Sequence, residues 1–430
     1  MLCIQLYLIR ELRYLVDQYA AADELDLYEQ KEDANPLDKL MIAAKIGRFD
    51  LFRNLREQKL ITENKRELLK VAAENGHSTI LVELRTNWGL TQEDVRANDN
   101  QALLLAAEGG HVSVLVELRT NWGLTREDAR VNDNYALRSA VDNGHITVLQ
   151  EFRINWGLTQ KDARSNDNQT LRLAAESGYV SVLVELRTNW GLTREDARVN
   201  DNYALRSAAR DGYVDVLIEL RTNWGLTRED IRANNNYALR WAAANGHIPI
   251  LVELRNNWGL TREDVRANDN FALRQAAEHG HLAVLVELRT IWGLTRDDAR
   301  ANHNEALQNA ARNGHVLVIQ ELRTNWELIR DDAREENNYT LRFAAAEGHV
   351  PVLVELRTNW GLSREDARAN DNYALQNAAR NRHVDVLVEL RTNWGLTRED
   401  ARANDTYSLR RARLSGYTAV VNELRNWGDV

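Results

Sequence analysis

Ten tryptophans fall on one ruler: Trp88, Trp122, Trp156, Trp190, Trp224, Trp258, Trp292, Trp326, Trp360 and Trp394 are each 34 residues apart. A fixed period of this size marks an array of stacked supersecondary units. One such unit cannot cover its own apolar stripe, so its neighbours must. Length alone would allow 430 residues to hold two or three ordinary domains. Here nearly all of the chain is one unit, repeated.

The unit 202–235 shows the local grammar. Ala204, Leu205, Ala208 and Ala209 form a narrow apolar stripe and predict a first helix over about 203–210. Asn202 stands where an N-cap is wanted. Asp211-Gly212 predicts a turn, and Val216, Leu217 and Leu220 predict a second helix over about 214–224. Gly225 suits the left-handed position after that helix, with Leu226 folding back on its last turn. Thr227 and Asp230 have capping-box spacing, which predicts a third, short helix. Small alanines on the first helix permit close approach of neighbouring helices.

Periodicity also sets the organisation. Residues 1–36 lack the repeat and predict an N-terminal capping helix with an acidic linker. Residues 37–65 form a degenerate first repeat, carrying Ala43-Ala44 and Gly47. Ten full repeats occupy 66–405, and 406–430 is a C-terminal capping repeat. Two breaks stand out: Trp326-Glu327-Leu328-Ile329 lacks both the glycine and the capping threonine, and Arg382 replaces a turn glycine.

Bulk properties exclude several classes. There are 55 basic and 64 acidic side chains, a net charge of −9. That is not the uncompensated basic surface a phosphate backbone requires. The single cysteine, Cys3, permits no internal disulfide and suits a reducing, cytoplasmic setting. The apolar run 4–16 is interrupted by Arg10, Glu11 and Arg13, so no membrane span or signal peptide is expected.

The run Ala276-Ala277-x-x-Gly280-His281-x-x-Val284-Leu285, with Ala208-Ala209-x-x-Gly212-Tyr213-x-x-Val216-Leu217, resembles the ankyrin repeat signature. The likeness recurs from about Arg66 onward. The repeat looks like the divergent 34-residue arrays of amoeba-associated bacteria, giant viruses and some protists. Asn-x-Ala-Leu-Arg replaces the ankyrin helix start, and Trp-Gly-Leu-Thr followed by a helical turn replaces the β-hairpin finger. The resemblance implies an all-α, ankyrin-like helical repeat solenoid that serves as a protein-binding scaffold. No catalysis is expected, because paired carboxylates such as Glu229-Asp230 recur in unit after unit; the chain is expected to be monomeric alone, with a protein partner that the sequence does not identify, in its own cell or in a host's. The alternative is a modular DNA-binding repeat of the same length. The unit 202–235 has five arginines against five acidic residues, which disfavours it.

Columns along the array carry the site reading. The tryptophans read as packing. Histidines at 77, 111, 145, 247, 281, 315, 349 and 383 repeat once per unit, about 10 Å apart, too far to share a zinc ion. They read as turn elements, and no metal or other cofactor is expected. The Glu219, Arg221, Asp230 and Arg232 columns predict inter-repeat ion pairs, each worth little if exposed. Positions i, i+4 and i+7 of the first helix, such as Tyr237, Trp241 and Ala244, share one face and vary between repeats. The ankyrin resemblance makes this the concave side. The partner-binding candidates are therefore Tyr203, Tyr237, Trp241, Phe271, Gln275, Glu305, Asn309, Tyr339, Phe343, Tyr373 and Asn377.

Overall fold

The protein is described here from a computed structural model covering residues 36–57 and 64–427. The expected capping helix and linker of 1–36 lies outside the described residues apart from Pro36, which opens the helix Pro36–Ile46. All regular structure among the described residues is helical, with no strand. The described residues form an all-α helical repeat solenoid with serial packing of neighbouring helices. None of its described helices is long and apolar enough to cross a membrane.

The described helices fall into two compact units, one of residues up to 208 with 215–226, the other of 209–214 with 227–427. In the first, Lys65–Glu74, Gln92–Glu108, Val131–Asp142 and Ser165–Glu176 stack in sequence. In the second the same serial stacking links Ala233–Ala244, Ala267–Glu278, Ala301–Arg312, Arg330–Ala346, Ala369–Arg380 and Arg398–Leu414. Each repeat adds a nine-residue second helix, such as Ile248–Asn256. A four-residue helix, such as Arg262–Val265, connects most repeats.

The apolar stripes are covered as the period demands. Ala242, Ala243, Leu239, Leu251 and Leu254 are fully buried, and the periodic tryptophans of the ruler are between 2% and 7% exposed. The caps follow the expected local rules. The Asp230 carboxylate accepts from the Thr227 backbone N–H at 2.8 Å and from its hydroxyl at 3.1 Å. Gly225 has φ +73. Leu226 N–H donates to the Leu220 carbonyl at 3.1 Å, closing the second helix as the sequence suggested.

The start of the first helix differs from expectation. Asn202 is not an N-cap. Asn200, Asp201 and Asn202 all have left-handed backbone, with φ of 55, 55 and 58. The same triad recurs nine times among the described residues, from Asn98-Asp99-Asn100 to Asn370-Asp371-Asn372. Left-handed backbone costs about 1–2 kcal/mol per L-residue, least for Asn and Asp, which explains the composition. A clamp holds the triad. Arg206 Nε donates to the Asp201 carbonyl at 2.8 Å, and its Nη2 to the Asn200 carbonyl at 2.9 Å. Arg240, Arg274 and Arg342 make the same pair of bonds in their repeats. The arginine of the Asn-x-Ala-Leu-Arg motif thus fixes the turn. The third Asn faces the next repeat: Asn100 Nδ2 donates to the Asp128 carbonyl at 3.2 Å. The Asn202 Oδ1 atom, which an N-cap would use, has no partner within the protein.

Two columns of ion pairs run along the seams between repeats. Arg232 grips Asp264 with two parallel bonds of 2.7 and 2.9 Å, and Arg96–Asp128, Arg130–Asp162 and Arg266–Asp298 repeat the arrangement. The expected inter-repeat pairs are not fully exposed, since the Asp264 side chain is 6% exposed. One carboxylate serves both its own cap and the preceding repeat. Burial pushes the Asp162 carboxyl upward, but Arg130 and the Thr159 cap outweigh it and hold the pKa down to about 2. Asp298 is held at about 2 in the same way by Arg266 and Thr295.

The second column joins Arg187 to Glu219 at 3.2 Å and Arg323 to Glu355 at 3.2 Å. Most of these glutamates also accept from an asparagine four residues on, as Glu253 does from Asn257 at 2.6 Å. Ile291 occupies that asparagine's place in its repeat, and Glu287 Oε1 is buried without a hydrogen bond. Burial raises the Glu287 carboxyl against the pull of Arg255.

Candidate partner-binding face

The histidine column belongs to the seam. His315 Nε2 donates to the Glu278 carbonyl at 2.8 Å, and His145, His247 and His349 bind equivalent carbonyls of preceding repeats. Their role is to tie one repeat's first helix to the next repeat's turn, rather than to cap their own turn. A carbonyl only accepts, so Nε2 carries the proton. The other ring edge explains the turn glycine: a Cβ on Gly280, where φ is +75, would lie 2.5 Å from His315 Nδ1. Arg382 tolerates this position at φ 69, and its guanidinium lies 4.0 Å above the Tyr417 ring of the following repeat.

The first-helix face separates into distinct patches. In the second unit, Tyr237 and Trp241 have ring centroids 5.7 Å apart, and Trp241 meets Phe271 of the next repeat at 5.8 Å. Further along the same unit, Tyr339 stacks on Phe343 at 4.0 Å, and Phe343 meets Tyr373 at 5.9 Å. All six rings are half-buried, so each cluster keeps apolar surface in contact with solvent. Between the clusters the face is polar. Glu278 Oε2 accepts from Gln275 at 2.6 Å and from Asn309 at 3.2 Å. Glu305 binds Arg274 and accepts from Asn302 at 2.6 Å. Past the second cluster's last ring, Asn377 turns back and donates to the Tyr373 carbonyl at 3.1 Å.

In the first unit the same positions bring no rings together among the described residues. Tyr203 instead donates its hydroxyl to Glu176 at 3.3 Å and lies under Arg172, 5.3 Å from its ring centre.

Two points correct the sequence reading. The i+7 position does not always reach the surface: Ala244 is fully buried and Ala346 is 4% exposed. Ser207, at i+4, is 2% exposed and bonds to the Ala204 carbonyl. The reading also missed the arginines over the rings. Arg240 lies 4.8 Å from the Phe271 centre, Arg342 4.8 Å from Tyr373, and Arg312 5.6 Å from Phe343. The signal was available, since Arg240 and Arg342 each follow an aromatic by three residues and face the next repeat's aromatic.

A cleft of 480 Å³ opens beside the second cluster, lined by Glu278, Arg312, Asn313, Glu347 and His349. No group of histidine, cysteine, aspartate and glutamate among the described residues is arranged to hold a metal ion. No protein-family model and no curated protein matches the chain.

Proposed function

We propose that this chain is an ankyrin-like scaffold that binds another protein through the varied face of its first helices. The observation that carries the reading is the pair of half-exposed aromatic clusters, built at positions that change between repeats. Large aromatic residues backed by arginine are the side chains that dominate protein interfaces. The carboxylate and histidine columns are occupied by caps, ion pairs and carbonyls in repeat after repeat, so the proposal assigns them no reaction. The DNA alternative is disfavoured by the same bookkeeping, because the repeated seam arginines are matched by buried carboxylates.

The test substitutes Trp241→Ala and Phe343→Ala together. Affinity for a captured partner should fall by about 30-fold or more, with the capture insensitive to nuclease. Unchanged affinity would refute the role of this face, and binding lost to nuclease or falling steeply with salt would favour the nucleic-acid reading.

A further inference from the structure

The two aromatic clusters occupy equivalent places three repeats apart within the second unit, as Tyr237 and Tyr339 show. At roughly 10 Å per stacked helix, their separation is about 30 Å. An extended chain covers that span in about nine residues.

What lies between them has its own chemistry. Two neutral amides, Gln275 and Asn309, orient the Glu278 carboxylate without neutralising it. The adjoining cleft adds Glu347, so two acidic residues line it against one arginine, Arg312. His349 Nε2 already donates a hydrogen bond to the Arg312 carbonyl at 2.9 Å. Arg312 itself lies over Phe343, at the edge of the second cluster. The face therefore reads, in order, as apolar, polar with an acidic cleft, and apolar again.

We infer that this face holds one extended polypeptide segment of the partner, anchored at both ends by large apolar side chains on the two clusters, with a lysine or arginine between them in the Glu278–Glu347 cleft. The inference rests on the protein-binding reading above and adds spacing and charge to it. Two anchors on one chain make the second contact intramolecular, so affinity should depend on whether the spacer reaches. A helical segment would need about 20 residues for the same span, which separates the two conformations by length alone.

The test uses the full chain and fluorescein-labelled synthetic peptides. Each peptide carries two tryptophans joined by an extended, proline-rich spacer of about 3, 9, 15 or 21 residues with a central lysine, so that length per residue is fixed at about 3.1 Å. Fluorescence anisotropy should show tightest binding near nine spacer residues, at least about tenfold tighter than a one-tryptophan control. Trp241→Ala alone, and Phe343→Ala alone, should each reduce that peptide to the control level. Replacing the central lysine by glutamate should weaken binding several-fold, and Glu278→Gln should remove that preference while thermal melting confirms the fold. A flat response to spacer length, or an optimum near 21, would overturn the extended two-anchor segment. So would the absence of binding by any peptide of the series. None of these three results touches the capture assay on Trp241→Ala/Phe343→Ala, which judges the broader reading separately.

Discussion

The seam between repeats is built the same way at step after step, whereas the i, i+4 face of the first helices changes at almost every step. On the seam, a tryptophan, a capping aspartate gripped by the preceding repeat's arginine, and a ring bonded to a carbonyl recur with distances that barely vary. On the face, Tyr237 and Trp241 give way to Phe271 and Gln275, then Glu305 and Asn309, then Tyr339 and Phe343. The difference teaches how this architecture divides its work. Stability is carried by nearest-neighbour contacts, and these leave the face free to vary.

That division can be attacked first at the packing. Trp258 is 4% exposed. Trp258→Ala should destabilise the array by about 3–5 kcal/mol through the cavity it leaves, read as a lowered urea midpoint.

Acid is the next lever. The folded-state pKa of Asp162 and of Asp298 is about 2, against an unfolded value near 3.9. Each contributes stability that is complete above the unfolded pKa and disappears as pH falls from about 5 to about 2. The loss is of order 2 kcal/mol at each of these two seams. Thermal melts across that range should show it, and Asp298→Asn should flatten the pH dependence. A melting temperature constant down to about pH 2 would contradict the ladder.

The smallest effect lies where the seam is itself irregular. Asp332 still accepts the Ile329 N–H at 2.7 Å, but isoleucine offers no hydroxyl, so only half of the capping box survives. Glu327 holds the left-handed position at φ 59. Ile329→Thr should stabilise the array by about 1 kcal/mol. Amide exchange over 326–332 should be faster than over 224–230 in the natural chain, and equal protection would show that the missing cap does not matter.

Much of this was legible in the residues because the signals are local. Thr227 and Asp230 lie three residues apart, Gly225 and Leu226 follow a helix end, and the tryptophan ruler gives the stacking directly. The asparagine triads were not, because asparagine suits both an N-cap and left-handed backbone. Which of the two forms here is decided by the Arg206 clamp and by the next repeat. Burial of Asp264, Ala244 and Ala346 was equally out of reach, since neighbouring repeats provide it. The aromatic candidates themselves were readable from their variation, but their grouping into two clusters depends on contacts between repeats, Trp241 to Phe271 and Phe343 to Tyr373.

The separation of seam from face is tested most directly by paired urea melts of Trp258→Ala and of Trp241→Ala/Phe343→Ala. The seam variant should lose about 3–5 kcal/mol, and the face variant no more than about 1 kcal/mol per substitution. Equal losses per residue, or a larger loss from the face, would mean that the two clusters hold the array together and are not a surface set aside for a partner.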